Sequence, residues 1–203
     1  VEGDLRKKED LERLPSGIEL VFHLAAATSV EESFAKPSFY LENNVFGMIN
    51  LLDWARGSGV KKVLYASSSA VYGNVPPSVV MKEDLPAAPN NPYGLTKLDG
   101  EYLLKMYKEN FGLEYVALLF FNVFGEGQEC DSPYSSVIPK FIRAALDGRD
   151  LTVNGSGEQT RDFIHGDDIA EAALLVMERG EGIYNAATEQ QQDINTVARQ
   201  ILA

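Results

Sequence analysis

The fold is decided by three consecutive segments, KKVLYASSS (residues 61–69), YGLTKLDGEYLLKMYKENFG (93–112) and LEYVALLFF (113–121). The first and the last are short apolar runs with the length of a buried strand, whereas the middle segment is long enough for a helix of several turns. Strands separated by a helix of this length indicate parallel pairing with a right-handed crossover. These segments therefore predict a strand-helix-strand unit of a parallel sheet.

The same alternation extends toward the amino terminus. IELVFHLAA (18–26) is typical of a buried strand that opens into a turn of small residues. SFYLENNVFGMINLLDWARGSG (38–59) places Leu41, Val45 and Met48 at three- and four-residue steps and ends in glycine, as an amphipathic helix does. We therefore predict the α/β class, with a doubly wound, Rossmann-like parallel sheet.

The pattern loosens after a loop predicted over residues 122–134. This change divides the chain into a sheet domain over residues 1–132 and a smaller, mixed α/β lobe over residues 133–203, with elements that interleave. In the second part we expect helices at 135–148, at 167–178 and from 194, and strands near 151–153, 161–165 and 182–186.

The composition excludes several classes of partner. Acidic residues outnumber basic ones, 30 to 18, and the net charge of −12 argues against nucleic acid and against an anionic membrane surface. Two histidines and one cysteine, Cys130, are too few for a typical zinc site, so we predict no metal. No apolar run approaches the ~20 residues that span a bilayer, and the first residues are charged rather than signal-like. We therefore expect a cytoplasmic protein without a membrane partner.

The strongest chemical signal is a tyrosine four residues before a lysine, near the start of the predicted helix. Tyr93 and Lys97 share one helix face, so both side chains can meet one ligand. A free phenol has a pKa of about 10, but an adjacent ammonium and a nicotinium charge both favour the phenolate. Tyr93 can then act as base and acid, while Lys97 orients a nicotinamide cofactor through its ribose. A pair at this spacing also arises by chance.

Three serines strengthen this signal. Ser67, Ser68 and Ser69 follow a predicted parallel strand, at the sheet edge where doubly wound folds bind their ligands. A hydroxyl at that edge can hydrogen-bond a substrate hydroxyl or carbonyl and help to move its proton. A serine run after a strand also caps loops, and taken alone it favours that structural role.

Together these residues resemble the extended short-chain dehydrogenases/reductases of the NAD-dependent epimerase/dehydratase family, and most closely the UDP-glucose 4-epimerase type. Each matching motif is weak alone, and it is their order and spacing over nearly the whole chain that make the resemblance specific. The matching segments are Gly3-Asp4, HLAA (23–26), Asn44-Val45-x-Gly47, SSSAVYG (67–73), PYGLTK (92–97), FFNVFG (120–125), VIPKF (137–141), TRDFIHGDDIA (160–170) and YNAAT (184–188).

The resemblance implies NAD as the cofactor, held largely by residues 1–132, and a UDP-sugar as the substrate. It implies that Ser68 is the catalytic hydroxyl, Tyr93 the base and Lys97 the partner of the ribose and nicotinamide. Further cofactor contacts are implied for Asp4 at the adenine, for Leu24, Ala25 and Ala26 beside the diphosphate, and for Asn44 and Ser67. Substrate contacts are implied for Ser68, for Asn122 and Arg161 at the diphosphate, and for Val137, Ile138 and Phe141 around the uracil and ribose.

For the arginine and the histidines, a purely structural role is the alternative to a functional one. Arginine suits a diphosphate because its planar fork offers charge-assisted hydrogen bonds, but Arg161 also stands beside Asp162, with which it could form a salt bridge. His23 and His165 are both flanked by apolar residues, and we interpret them as structural histidines rather than catalysts.

The resemblance also bears on the reaction. Ser69 and Ala70 stand where related 4,6-dehydratases carry an acid and a base, so we expect epimerisation at carbon 4, with NAD bound and recycled. The alternatives are another nucleotide-sugar activity, namely a decarboxylase, a reductase or a dehydratase, or an inactive fragment. In this family the helices matching 38–58 and 93–111 commonly pair with a second subunit, which implies a homodimer.

The glycine loop that binds a dinucleotide diphosphate has no match in the sequence. Gly125-Glu126-Gly127 and Gly155-Ser156-Gly157 both lack the third glycine of that loop, and neither opens a first crossover. We expect the chain to begin after the loop and to stop within its last helix. On this interpretation we expect the chain by itself to bind NAD weakly or not at all.

Overall fold

A computed structural model describes residues 1–132 and 135–203 of the chain. A π-helical turn over Leu41–Phe46 and a 3₁₀ turn over Ser69–Tyr72 accompany the regular elements. The helices are α1 (Lys8–Glu12), α2 (Val30–Ala35), α3 (Pro37–Tyr40), α4 (Gly47–Gly57), α5 (Pro92–Phe111), α6 (Val137–Leu146), α7 (Gly166–Arg179) and α8 (Ile194–Leu202). The strands are β1 (Leu20–His23), β2 (Lys62–Ser68), β3 (Glu114–Phe120), β4 (Asn122–Phe124), β5 (Thr160–His165), β6 (Gly182–Ala186) and β7 (Gln191–Asp193).

The first compact unit comprises Val1–Leu119 together with Ala173–Asn185. Its four-stranded sheet has the order β1-β2-β3-β6, and β1 runs parallel to β2 with His23 opposite Tyr65. Helices flank this sheet, which is Rossmann-like, as the alternation of strands and helices predicts. The predicted fold class is therefore confirmed.

The core of this unit lies between the central strands and the helices that cover them. Met48 and Leu52 of α4 are completely buried, as are Val63 of β2 and Ala117 of β3, and Leu104 of α5 is almost completely buried. Burial on both faces explains why β2 and β3 are continuous apolar runs rather than alternating ones. Trp54 of α4 is partly buried and packs against this core.

Lys62, at the start of β2, ties α7 to the sheet. Its Nζ donates to the carbonyl oxygens of Val176 at 3.0 Å, Met177 at 2.8 Å and Gly180 at 2.6 Å. The last carbonyl groups of a helix have no partner within the helix, and the partial negative charge at that end favours a cation. One lysine therefore satisfies the carboxyl end of α7.

The second compact unit comprises Phe120–Ala172 and Ala186–Ala203. Its sheet has the order β4-β5-β7, with β4 parallel to β5 and β5 antiparallel to β7. Phe141 of α6 and Ile194 and Val197 of α8 form its buried cluster. This is the mixed second sheet that the sequence pattern indicates.

Besides α1, α2 and β7, which the sequence pattern does not predict, three predicted segments differ from the structure. No strand forms at residues 151–153, because Leu151 and Val153 pack against the apolar cluster of the second unit without a ladder partner. The predicted loop 122–134 contains β4, and the helix predicted over 38–59 is divided by the π-helical turn.

The predicted division of the chain was placed between residues 132 and 133. Pro133, where the second lobe was to begin, lies with Tyr134 outside the described residues. In the described residues the first unit consists of two stretches of chain, Val1–Leu119 and Ala173–Asn185.

Within residues 1–132 and 135–203, no helix combines the length and the apolar character needed to cross a membrane. Over the same ranges, no group of three or more histidine, cysteine or acidic side chains is arranged to hold a metal ion.

Candidate active site

Helix α5 positions the predicted tyrosine and lysine. Asn91 caps its amino end, since its side-chain oxygen accepts from the Gly94 amide at 2.7 Å, and Pro92 occupies the first turn, where no amide donor is needed. Gly112 ends the helix in the left-handed region at φ 72°. The cap places Tyr93 in the first turn and Lys97 one turn later, both buried.

Two glycines let α5 lie directly on the end of β2. A Cβ atom at Gly94 would come within 2.6 Å of the Ala70 carbonyl oxygen, and one at Gly100 would overlap the phenol of Tyr65, with Cζ at 2.6 Å. Neither approach is possible for a residue with a side chain unless the neighbour moves. The two glycines therefore set how closely the side chains of Tyr93 and Lys97 approach residues 66–68.

Three side chains of α5 each hold one residue at the end of β2. Lys97 Nζ donates to the carbonyl oxygen of Ala66 at 2.8 Å. The Tyr93 side chain shares a hydrogen bond with that of Ser68. One turn beyond Lys97, Glu101 accepts a short hydrogen bond from Ser67 Oγ. The predicted trio of Ser68, Tyr93 and Lys97 is thus assembled within the first unit.

Burial controls the charge states of this trio. It lowers the pKa of Lys97 to about 8, because the ammonium is taken out of water without a buried carboxylate against it. It also raises the pKa of the Tyr93 phenol, an effect that the Ser68 hydrogen bond partly opposes. The Lys97 Nζ lies 5.7 Å from the Tyr93 ring centroid.

Asn44 links the turn after β1 to α5. It lies in the π-helical turn, a distortion that often occurs at functional sites, and its side chain is buried. Its Oδ1 accepts from the Ala27 amide at 2.8 Å, and its Nδ2 donates to the Ala27 carbonyl oxygen and to Thr96 Oγ1, both at 3.0 Å. Thr96 Oγ1 in turn donates to the Tyr93 carbonyl oxygen at 2.8 Å. Asn44 therefore fixes the loop at Ala27 relative to the tyrosine.

His23 has the structural character expected of it. The ring is buried and stacks on Tyr65, with ring centroids 5.6 Å apart. Burial, reinforced by the charge of Lys97, lowers the pKa of His23 to about 4. His165, in the second unit, accepts from the Asp167 amide at 3.2 Å and is 39% exposed.

The other predicted cofactor residues lie in two places within the first unit. Leu24 and Ala25 are exposed after β1, and Ala26 is half-buried beside them. The Asp4 carboxylate is engaged by Arg6, with the closest contact at 2.6 Å from Nη2. This hydrogen bond lowers the pKa of Asp4 to about 2, so the group is ionised and already has a cationic partner.

Apart from Ser68, the predicted substrate residues lie in the second unit. Asn122 donates to the Asp162 carbonyl oxygen at 2.9 Å, and Arg161 is exposed and donates to the Thr160 carbonyl oxygen at 2.8 Å. Arg161 does not pair with the Asp162 carboxylate, which accepts from the Thr188 amide and hydroxyl instead. Val137, Ile138 and Phe141 face the apolar cluster of this unit, where Phe141 is buried.

Sequence reasoning missed Thr96 and Glu101. Both are polar side chains buried on α5, and each bonds a residue close to the predicted trio. A weak signal was present, since Glu101 follows Lys97 at the same four-residue step that separates Lys97 from Tyr93.

Known proteins of one enzyme family are similar to this chain. The model of the NAD dependent epimerase/dehydratase family matches residues 1–187. A UDP-N-acetylglucosamine 4-epimerase from Methanobrevibacter ruminantium, solved with UDP-N-acetylmuramic acid, is 42% identical with a TM-score of 0.93 over 98% of this chain and 64% of its own. The UDP-glucose 4-epimerase of Streptomyces lividans is 35% identical over 89% of this chain and 58% of its own length.

Dehydratases are also similar to this chain. A dTDP-glucose 4,6-dehydratase from Streptomyces venezuelae, solved with NAD, is 30% identical with a TM-score of 0.87 and is matched over 98% of this chain and 61% of its own. The chain thus spans about three fifths of the length of these relatives.

Proposed function

The chain belongs to the NAD dependent epimerase/dehydratase family, and from this premise we propose that it is a nucleotide-sugar epimerase that inverts carbon 4 of a UDP-hexose. The observation that supports this most directly is the assembly of Ser68, Tyr93 and Lys97. A phenol that shares a hydrogen bond with a serine hydroxyl, beside a buried ammonium, is equipped to move one proton to and from a sugar hydroxyl.

The residues around Lys97 fit NAD as the cofactor. Within residues 1–132 and 135–203, the Lys97 ammonium has the Ala66 carbonyl oxygen as its one hydrogen-bond acceptor. Two of its three N–H donors therefore remain for ribose hydroxyls. The turn at Leu24, Ala25 and Ala26 offers exposed backbone and little side-chain bulk for a diphosphate. NAD, when bound, supplies the acceptor and donor of the hydride.

The chain's own residues perform the proton chemistry. Tyr93 accepts the proton of the carbon-4 hydroxyl as the sugar becomes a ketone. After the keto-sugar has rotated to present its other face, Tyr93 returns that proton to the oxygen. Ser68 hydrogen-bonds the reacting oxygen and keeps the phenol directed at it. A cationic Lys97 favours the phenolate against the effect of burial, and a positively charged cofactor adds to this.

A dehydratase is the main alternative, since dehydratases are also similar to the chain. Elimination of water across the sugar needs a further acid and base near the tyrosine. Ser69 and Ala70, which follow Ser68 in the 3₁₀ turn, supply neither. A reductase or decarboxylase on the same scaffold would release or exchange its cofactor, so tight retention of NAD would speak against a reductase.

Chromatography of UDP-galactose tests the proposal. The complete protein encoded by the gene, incubated without added NAD, should form UDP-glucose, and Tyr93→Phe should abolish this activity. Tyr102→Phe is the matched control, because Tyr102 lies on the same helix and is 62% exposed. A 4-keto-6-deoxy sugar as the product would establish the dehydratase instead. If the protein interconverts only the N-acetylated UDP-sugars, the proposed carbon-4 epimerisation is retained and the proposed substrate changes.

We also propose that the protein forms a homodimer through α5 and the π-helical turn. Phe46 is 60% exposed, and Leu95 and Met106 are each 45% exposed, on helices that the resemblance assigns to subunit pairing. Phe46→Glu combined with Met106→Glu should convert a dimer into a monomer in analytical ultracentrifugation. A wild-type protein that sediments as a monomer at high concentration would refute this.

We also propose that the protein is located in the cytoplasm. The single cysteine, Cys130, gives no internal disulfide, which suits the reducing cytoplasm. Fractionation of cells that express the tagged protein would test this placement.

A further inference from the structure

Glu101 is a buried carboxyl group that the reaction does not use. Its side chain lies on α5, and the residue is only 7% exposed. Within the described residues no lysine, arginine or histidine lies within 4.0 Å of it to form an ion pair. Burying a carboxyl group without a cation costs free energy, so its hydrogen-bond partner must account for its presence.

That partner is the residue next to the catalytic serine. Ser67 is 2% exposed, and its hydroxyl donates a short hydrogen bond to Glu101 Oε1. Successive side chains of a strand point to opposite faces, so fixing the side chain of Ser67 also fixes the direction in which Ser68 points. Ser68 Oγ additionally accepts from the Ala70 amide at 3.2 Å, which marks it as the residue at which the strand turns into the 3₁₀ helix.

The hydrogen bond belongs to a repeating arrangement. Tyr93, Lys97 and Glu101 are spaced four residues apart, and they hold Ser68, Ala66 and Ser67 respectively. Residues 66, 67 and 68 of β2 are thus each bound by a side chain from a different turn of α5. In the proposed function Tyr93 and Lys97 serve the reaction directly, whereas the hydrogen-bond partner of the Glu101 side chain within residues 1–132 and 135–203 is Ser67.

We propose that Glu101 is a positioning residue, which fixes the end of β2 through Ser67 and so directs the Ser68 hydroxyl at Tyr93. The inference rests on the proposed function, in which Ser68 and Tyr93 are the catalytic pair. The hydrogen bond itself, rather than the charge of the carboxylate, does the positioning. Glutamine can accept the same bond and methionine cannot, although both have nearly the volume of glutamate.

Four variants of the complete protein separate these effects. Glu101→Met and Ser67→Ala each remove the hydrogen bond between residues 67 and 101. The double variant removes this same bond and no other, whereas Glu101→Gln keeps it. Both single variants should lower kcat by about tenfold or more with little change in KM, because small misplacements at a catalytic pair have effects of this order. The double variant should be no worse than either single one, and glutamine should restore most of kcat. Glu109→Gln, at an exposed site of the same helix, is the control.

A second measurement does not depend on the substrate. In protein labelled with ¹³C-tyrosine, the titration of Tyr93, assigned with Tyr93→Phe, should move to higher pH in Glu101→Met and in Ser67→Ala, because the Ser68 hydrogen bond that favours the phenolate is weakened. If Glu101→Met is unfolded, Ser67→Ala removes the same bond with a smaller change in volume.

The outcomes are distinct. An unchanged Tyr93 titration in Ser67→Ala, or a glutamine variant as impaired as methionine, would overturn the positioning role. If the Tyr93 titration shifts in the two variants while the wild-type protein interconverts no UDP-sugar, the positioning role stands and the proposed function is refuted.

Discussion

At the scale of single residues, Lys97 combines a functional position with a cost in stability. Its pKa is lowered from 10.5 to about 8 by burial. The folded state therefore binds fewer protons than the unfolded state between pH 8 and 10.5, so the protein gains stability as the pH rises through this window. At neutral pH the full penalty applies.

We predict that Lys97→Met inactivates the enzyme and stabilises the fold. At pH 7 the free energy of unfolding should rise by up to about 3 kcal/mol, reduced by the loss of the bond to the Ala66 carbonyl. The gain should fade between pH 8 and 10.5, where the wild-type lysine becomes neutral in both states. Urea denaturation at pH 7 and pH 10 measures this, and an equal effect at both pH values would contradict it.

His23 should make the fold sensitive to acid. Its pKa is lowered to about 4, first by burial and then by Lys97, so the unfolded state takes up a proton before the folded state as the pH falls below 6.5. Between pH 7 and pH 5 this should remove about 2 kcal/mol from the free energy of unfolding. His23→Gln should abolish most of this loss, whereas the loss should persist in His165→Gln, a substitution at an exposed site.

The sequence identifies the proposed catalytic residues better than the residues that support them. Ser68, Tyr93 and Lys97 lie at fixed spacings within motifs, and the structure brings them together. Glu101 and Thr96 act through the atoms they face across the helix, and a local pattern does not specify which atoms those are. The effect of burial on the Tyr93 pKa has no local sequence signal either, because desolvation depends on the packing of distant segments.

At the scale of elements, the contact between α5 and β2 depends on glycine. We predict that Gly100→Ala lowers the free energy of unfolding by about 1–3 kcal/mol, because the new methyl group overlaps the Tyr65 phenol and pushes the helix away from the strand. Activity should fall with it, since Tyr93 and Lys97 move with the helix. Thermal unfolding and the epimerase assay measure both effects.

Gly57→Ala is the matched control for this prediction. Gly57 is the last residue of α4, and a Cβ atom there meets nothing within 4 Å. Alanine should be neutral or slightly stabilising at that position, since it lowers the entropy lost on folding. Equal destabilisation at both sites would show that the space near Tyr65 is not the cause.

The elements themselves follow from the pattern wherever they are long. β2, α5 and β3 lie within one or two residues of their predicted bounds. Short segments are different, because a three-residue strand such as β4 carries no periodic signal. Leu151 and Val153 show the converse, since they alternate like a strand but contribute apolar contacts without pairing.

At the scale of the whole molecule, the first unit is completed by residues from late in the chain. β6 is the neighbour of β3 in the sheet, Lys62 binds carbonyl groups of residues 176–180, and Tyr72 donates to the Asn185 side chain at 2.8 Å. Interleaved elements are expected from the sequence, but no local signal indicates which segment returns, because β3 and β6 pair across about 60 residues.

We predict that a fragment of residues 1–120 is destabilised and is rescued by a peptide of residues 173–186. The peptide restores β6 and the acceptors of Lys62, and at 100 times its Kd it should add about 2.7 kcal/mol to the free energy of unfolding. Thermal unfolding with increasing peptide concentration measures this. A scrambled peptide of the same composition should have no effect, and equal stabilisation by both would contradict the prediction.

The regular spacing of Tyr93, Lys97 and Glu101 also restricts which insertions and deletions the gene can tolerate. Each residue added to or removed from a helix rotates everything beyond it by about 100°. A one-residue deletion between Tyr93 and Glu101 would therefore detach at least one of the three strand residues that α5 holds. Beyond Glu101 the helix carries none of these attachments, so changes of length should accumulate toward its carboxyl end.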